Sequence, residues 1–141
     1  MNPAIRMGGY ILVTRRNVDK ETLSATDFVL VEDRLNKSVH YAGDAKPSVD
    51  TPIQVKLFEY YKNVQYMIHG HAYVSDGVFT HNKVPCGFLE EFDEVVELVP
   101  DSEQSNFTIN LKGHGCLIMA NDLDYLAEQK AKLYARPCPE A

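Results

Sequence analysis

"KPSVDTPIQVKLFEYYKNVQYMIHGHAYV", residues 46–74, carries two periodicities back to back. Over its first half Ile53, Leu57, Tyr60 and Tyr61 recur at helical spacing, and Pro52 suits a first helical turn. From Val64 the pattern becomes that of a strand, "VQYMIHGHAYV". On a strand successive side chains alternate faces, so His69 and His71 point the same way, ~7 Å apart along the chain. That separation lets both ring nitrogens converge on one ion at ~2.1 Å. Gly70 faces the other side, where another segment can pack closely, and Met67 shares the histidine face. His-x-His is common by itself, and two half-exposed histidines are the competing reading.

Farther along, "FTINL" and "CLIMA" flank "KGHG", a hairpin with a tight glycine-rich connection. Glycine on both sides of His114 frees the backbone to present its imidazole at the tip of a turn, against the alternative of a surface turn histidine. Three histidines from a strand and a hairpin suit a catalytic zinc with an open position; a closed structural site would more often use cysteine. His40 and His81 read as solvated bystanders. The carboxylate such a site needs is best supplied by Asp50, which also reads as the N-cap of the helix. The two roles are compatible, because a helix N-terminus holds a carboxylate ionised.

The rest of the chain frames this core. "GYILVT" (9–14), "FVLVED" (28–33) and "SVHYAG" (38–43) read as strands. "GFLEEFDEVVELVP" (87–100) reads as a helix with Leu89, Phe92, Val96 and Val99 on one face. "DSEQSN" (101–106) is a loop. A last helix is expected over 122–135, its apolar stripe formed by Leu123, Leu126, Ala127, Ala131 and Tyr134. Strands outnumber helices and the two are interspersed, which favours a layered α/β fold with an antiparallel or mixed sheet.

Composition bounds the function classes. The chain has 141 residues, 45% hydrophobic and 24% charged, which fits a single domain over 1–141. A net charge of −6 argues against a general nucleic-acid binder, though not against a local anion pocket. No apolar run approaches the ~20 residues of a membrane span, and the first residues lack the pattern of a signal peptide. Cys86, Cys116 and Cys138 are odd in number and widely spaced, so neither a disulfide framework nor a cysteine zinc site is expected; the reading is a reduced, cytoplasmic compartment.

Taken together, residues 46–74 resemble the core signature of the class II sugar-phosphate aldolase, ribulose-phosphate epimerase and adducin-head family: Pro-Ser-Ser-Asp/Glu, a helix, then a strand ending in His-x-His. "INLKGHGCLIMANDLDYLAEQKAKL" is similar to its second signature, and "ILVTRRNVDKETLSATDFVLVE" to the segment before both, so the likeness runs from about Gly9 to about Tyr134. The resemblance implies a three-layer α/β/α sandwich with a central mixed, mostly antiparallel sheet. It implies a divalent ion, zinc first, held by His69, His71 and His114, with Asp50 on the acid/base position. The chemistry implied is retro-aldol cleavage, or epimerisation through it, of a sugar or sugar-phosphate substrate by way of a metal-stabilised enediolate. It also implies a homo-oligomer, tetramer or dimer, with the active site completed across a subunit boundary; the 8 tyrosines fit such an interface, or else the core.

The pattern also departs from the family's. The chain is expected to lack the upstream Gly-Asn-x-Ser phosphate segment. The paired serines reduce to Ser48 followed by Val49, the Thr-Gly phosphate turn is Arg16-Asn17, and a helix histidine of some members is Gln54. Ser48, Arg16 and Asn17 are therefore the substrate-binding candidates, Arg15 or Arg16 serving as an anion clamp or lying in an exposed basic turn. The competing function is an association domain like the adducin head that keeps its metal site. A cupin-type oxygenase fits poorly, because Val74 and Ser75 stand where its glutamate is expected.

Overall fold

The computed structural model describes residues 2–16, 24–32, 41–43, 46–48, 50–85 and 87–134. Its centre is a strand, β4 (Tyr66–Gly70), flanked on one side by β1 (Asn2–Met7) and on the other by β8 (Gly115–Ala120). Beyond β1 lie β2 (Tyr10–Thr14) and β3 (Phe28–Glu32); beyond β8 lie β7 (Phe107–Leu111) and β6 (Val78–Phe79). The order β3-β2-β1-β4-β8-β7-β6 is antiparallel throughout, except that β6 runs parallel to β7. A second, two-stranded piece pairs β5 (Tyr73–Val74) with β9 (Leu133–Tyr134).

Alternation along the central strands divides the core in two. Met67, Leu117 and Met119 join Ala4, Ile11, Val13, Val29 and Val31 in a cluster on one face of the sheet. Two helices add to that cluster, α1 (Thr51–Tyr60) through Ile53, Val55, Leu57 and Phe58, and α2 (Glu90–Leu98) through Val95; Tyr61, Val64 and Phe107, Ile109 and Leu111 of β7 complete it. The intervening residues Ile68, Cys116 and Ile118 point the other way and meet Tyr125 and Leu126 of α3 (Leu123–Lys130). The result is a three-layer α/β/α sandwich around a mixed, mostly antiparallel sheet. Each fully buried aliphatic or aromatic side chain contributes about 1.5–3 kcal/mol relative to exposure.

Several elements differ from the sequence reading. β1 was not expected; its Pro3 and Arg6 weaken a strand signal, yet the segment pairs with β4 and β2 on both edges. His71 lies in a bend beyond the end of β4, not on the strand. The buried stripe of α2 is Glu91 and Val95, flanked by the half-buried Phe92 and Val96, while Leu89 is exposed. The last helix stops at Lys130, and Leu133–Tyr134 form β9 because their partner is Tyr73–Val74. Leu123 is exposed, and Tyr125 takes its place in the packing. Of the expected strand at 38–43, residues 38–40 lie outside the described residues, and Tyr41 makes an isolated bridge to Val31. Among the described residues no helix is long and apolar enough to cross a membrane.

Candidate metal centre

Three segments meet at one end of the sheet face covered by α1 and α2. β4 supplies His69, whose Cα partner on β8 is Leu117. The following bend supplies His71, and the turn between β7 and β8 supplies His114. Two glycines make the approach possible. Gly113 has φ 69°, a left-handed conformation that side chains disfavour, and its N–H donates to the Tyr73 hydroxyl at 3.0 Å. A Cβ on Gly115 would sit 1.8 Å from the Gly70 carbonyl oxygen, so any side chain there would push the hairpin off the His-Gly-His segment.

The three rings pack against one another, with centroids 5.4 Å (His69–His71), 4.5 Å (His69–His114) and 5.2 Å (His71–His114) apart. Each offers one nitrogen, and these nitrogens all lie within 4.8 Å of one another. Two bonds of ~2.1 Å span at most ~4.2 Å, so gripping one ion takes a small ring rotation. His71 is the exposed member of the three and has room for it.

The donor chemistry fits a divalent ion. The Nδ1–H of His69 donates to the Cys116 carbonyl at 3.0 Å, which turns the Nε2 lone pair toward the other rings. That Nε2 is buried and has no hydrogen-bond partner among the described residues. Leaving such an atom unsatisfied costs about 1–3 kcal/mol, an amount a bound ion would offset. Burial, and then the neighbouring His114, push the His69 pKa down to about 4, so its imidazole is neutral and ready to ligate near neutral pH. His114 Nδ1 lies 2.7 Å from Glu91 Oε2 on α2. Three imidazole nitrogens are a donor set suited to a divalent ion.

Asp50 stands where α1 begins, with Oδ2 4.0 Å from His69 Nε2. The expected N-cap bond is absent: Asp50 itself has helical φ and ψ, and its Oδ2 instead accepts from Asn2 Nδ2 at 2.9 Å. Asn2 is buried on β1, opposite His69. Its Oδ1 accepts from the Thr14 hydroxyl at 2.6 Å, and its amide also reaches Ser48 Oγ at 3.3 Å. Ser48 is buried in this network and its Oγ also accepts from the Asp50 N–H. Arg16 is exposed and lies against the same segment, Nε to the Pro47 carbonyl at 3.3 Å. Asn17 lies outside the described residues. His81 is on the surface beside Glu97, 2.9 Å away, while His40 is not among the described residues.

Behind the histidines, between α1, α2 and the sheet, is a cavity of about 20 Å³ lined by Asp50, Gln54, Met67, His69, Glu91 and Val95, among others. It has room for a single water. Both amide atoms of the buried Gln54 lack hydrogen-bond partners among the described residues.

Glu91 and Asn2 are the site residues the sequence pattern does not reveal. Glu91 is one of two adjacent glutamates at a helix start, which reads as solvated; the signal for it is that the turn before Val95 on the buried face lands on it. Asn2 has no local signal and is identified only through sheet pairing.

Comparison with known proteins agrees with this architecture. The model of the class II aldolase and adducin N-terminal domain family matches residues 2–78. Methylthioribulose-1-phosphate dehydratase of Yersinia pestis (strain Pestoides F) is 32% identical over 72 residues, which is 50% of this chain and 31% of the dehydratase's own length. The same enzyme of Yersinia pseudotuberculosis serotype O:1b matches equally. Among solved structures, an L-fuculose 1-phosphate aldolase superposes with a TM-score of 0.69 at 14% identity, over 99% of this chain and 81% of that one. The L-fuculose-1-phosphate aldolase from Thermus thermophilus gives 0.66 at 16% identity, over 94% and 75%. At these identities the structural likeness speaks for the fold.

Proposed function

Because the chain belongs to the class II aldolase and adducin N-terminal domain family, we propose that it is a divalent-metal-dependent, aldolase-like lyase or epimerase. Its substrate would be a sugar-derived hydroxy-carbonyl compound, phosphorylated or not, and its compartment the cytoplasm. The observation that carries this reading is the convergence of His69, His71 and His114 with Asp50 beside them.

His69, His71 and His114 would hold the ion, zinc by preference. Bound there, it supplies Lewis-acid polarisation of a carbonyl and its neighbouring hydroxyl. The chain's own residues do the rest. Asp50 carries the proton: ionised, it accepts one from the substrate as the bond to carbon breaks, and returns it to carbon on the other side of the reaction. Asn2, itself held by Thr14, keeps the Asp50 carboxylate turned toward His69. Arg16, whose Nε reaches the Pro47 carbonyl beside Ser48, is proposed to meet the anionic end of the substrate, together with Asn17, its neighbour in sequence. A homo-oligomer, dimer or tetramer, would complete the open side.

Elemental analysis of the purified protein comes first, followed by a screen of ketose phosphates scored for carbon–carbon cleavage, for inversion and for loss of water. Loss of water is included because a methylthioribulose-1-phosphate dehydratase is 32% identical to this chain over 72 residues. About one equivalent of zinc per chain with turnover in one assay is the expected result. A protein that takes up no divalent ion would end this reading.

A further inference from the structure

The three imidazoles are not supported alike. His69 rests on a neutral carbonyl, that of Cys116. His114 rests on a carboxylate: Glu91 Oε2 lies 2.7 Å from its Nδ1, with the two side chains 7% and 3% exposed. Carboxylates are almost never so deeply buried unless paired. Glu91 also breaks the pattern of its own helix. The acidic residues beside it, Glu90 and Asp93, face solvent, while Glu91 lies on the inward face with Val95.

The place of His114 explains why a lock would be needed there. It sits at the tip of a turn between two glycines, the backbone least able to fix a side chain's direction. His69, by contrast, projects from a central strand bonded on both sides. Building on the metal-centre reading above, we propose that Glu91 is a positioning residue. Its carboxylate accepts the Nδ1–H of His114 and fixes the tautomer that leaves Nε2 as the donor. The general physics is that of a carboxylate behind a ligating histidine, which orients the ring and strengthens it as a ligand. A consequence is that α2 is tied to the ion: its docking on the sheet and the occupancy of the centre support each other.

The test uses the full chain, with Zn²⁺ affinity measured by chelator competition and Co²⁺ as a spectroscopic probe. Glu91→Ala is expected to weaken Zn²⁺ binding about 10–100-fold. Glu91→Gln keeps a nearly isosteric hydrogen-bond acceptor without the charge, and is expected to fall between Ala and wild type. The visible Co²⁺ bands should change in position or intensity in both variants. A merely structural Glu91 would lower the melting temperature of the metal-free protein and leave those bands alone. Zn²⁺ affinities within twofold of wild type for both variants, with unchanged Co²⁺ bands, would overturn the positioning role while leaving the metal centre standing. Failure of the wild-type chain to bind either ion would overturn both.

Discussion

At the scale of single residues, two carboxylates approach the histidines and their partners separate their roles. Both line the cavity behind the histidines, but Glu91 closes on the Nδ1 side of His114, whereas Asp50 lies 4.0 Å from the Nε2 side of His69. Under the proposed function the proton carrier is Asp50 and Glu91 serves His114. Asp50→Asn keeps an oxygen for Asn2 to bond and removes the basic site, so turnover should fall about 10²–10⁴-fold with zinc content unchanged; full activity in that variant would remove Asp50 from the mechanism. His69 gives a second expectation, for the metal-free protein. Its folded pKa of about 4 lies below the ordinary 6.5, so the unfolded chain takes up a proton first as pH falls. The stability linked to neutral His69 is complete above about pH 6.5, declines between there and about pH 4, and amounts to ~3 kcal/mol at most. Urea unfolding of chelator-treated protein should show this slope, and His69→Gln should flatten it; equal slopes would refute the linkage. The histidines and Asp50 were legible because glycine and helix-start signals mark them locally. Glu91 and Asn2 were not, because what defines them is a partner more than 20 positions away.

At the scale of elements, β1 shows how a segment without a clean strand pattern is held in place. Its Arg6 sends Nε to the Val64 carbonyl at 2.8 Å and one terminal nitrogen to the carbonyls of Phe58 and Tyr61, at 2.7 and 3.1 Å. Those last two carbonyls close the C-terminal end of α1, where backbone acceptors have no partner within the helix and a cation is favoured. Arg6 thus fastens α1 to the sheet at the end opposite Asp50. Arg6→Ala should cost about 1.5–3 kcal/mol, since these bonds involve a charged donor. Chemical denaturation would read the loss, and a change under about 0.5 kcal/mol would mean that water replaces the guanidinium without penalty. The helices and the longer strands could be read from periodicity and β-branched runs: α1 begins at its Pro52 signal, and β7 and β8 flank the expected glycine turn. The failures have one cause. Helical spacing continued past Lys130, but pairing of Leu133 and Tyr134 with β5 overrides it. On α2, Phe92, Val96 and Val99 of the expected stripe do pack on the core, but only at its flank, because the most buried line runs through Glu91, paired with His114, and Val95.

At the scale of the whole molecule, the site lies on the sheet face covered by α1 and α2, yet one side of it stays open. His71 is exposed while His69 and His114 are buried. Phe88 and Leu89, in the turn leading to Glu91, are 52% and 38% exposed, and Val78 and Phe79 on the edge strand β6 are 61% and 41% exposed. Phe79 also packs edge-on against Tyr73, whose hydroxyl holds the turn of His114. An edge strand with apolar side chains is a ready template for another chain, and exposed large apolar residues in numbers mark an interaction surface. A second copy of this chain docking there would cover these residues and wall the centre at its open side. Sedimentation at micromolar concentration should therefore find a dimer or tetramer, the closed symmetries commonest among homo-oligomers. The double substitution Phe79→Glu with Phe88→Glu should shift it toward monomer. If the metal ligands come from one chain and the enclosure from two, the monomer will bind zinc as the wild type does and lose turnover. A wild-type protein that sediments as a strict monomer, or a monomeric double variant with undiminished activity, would sink the shared-site idea and leave the metal centre to be explained by a single chain.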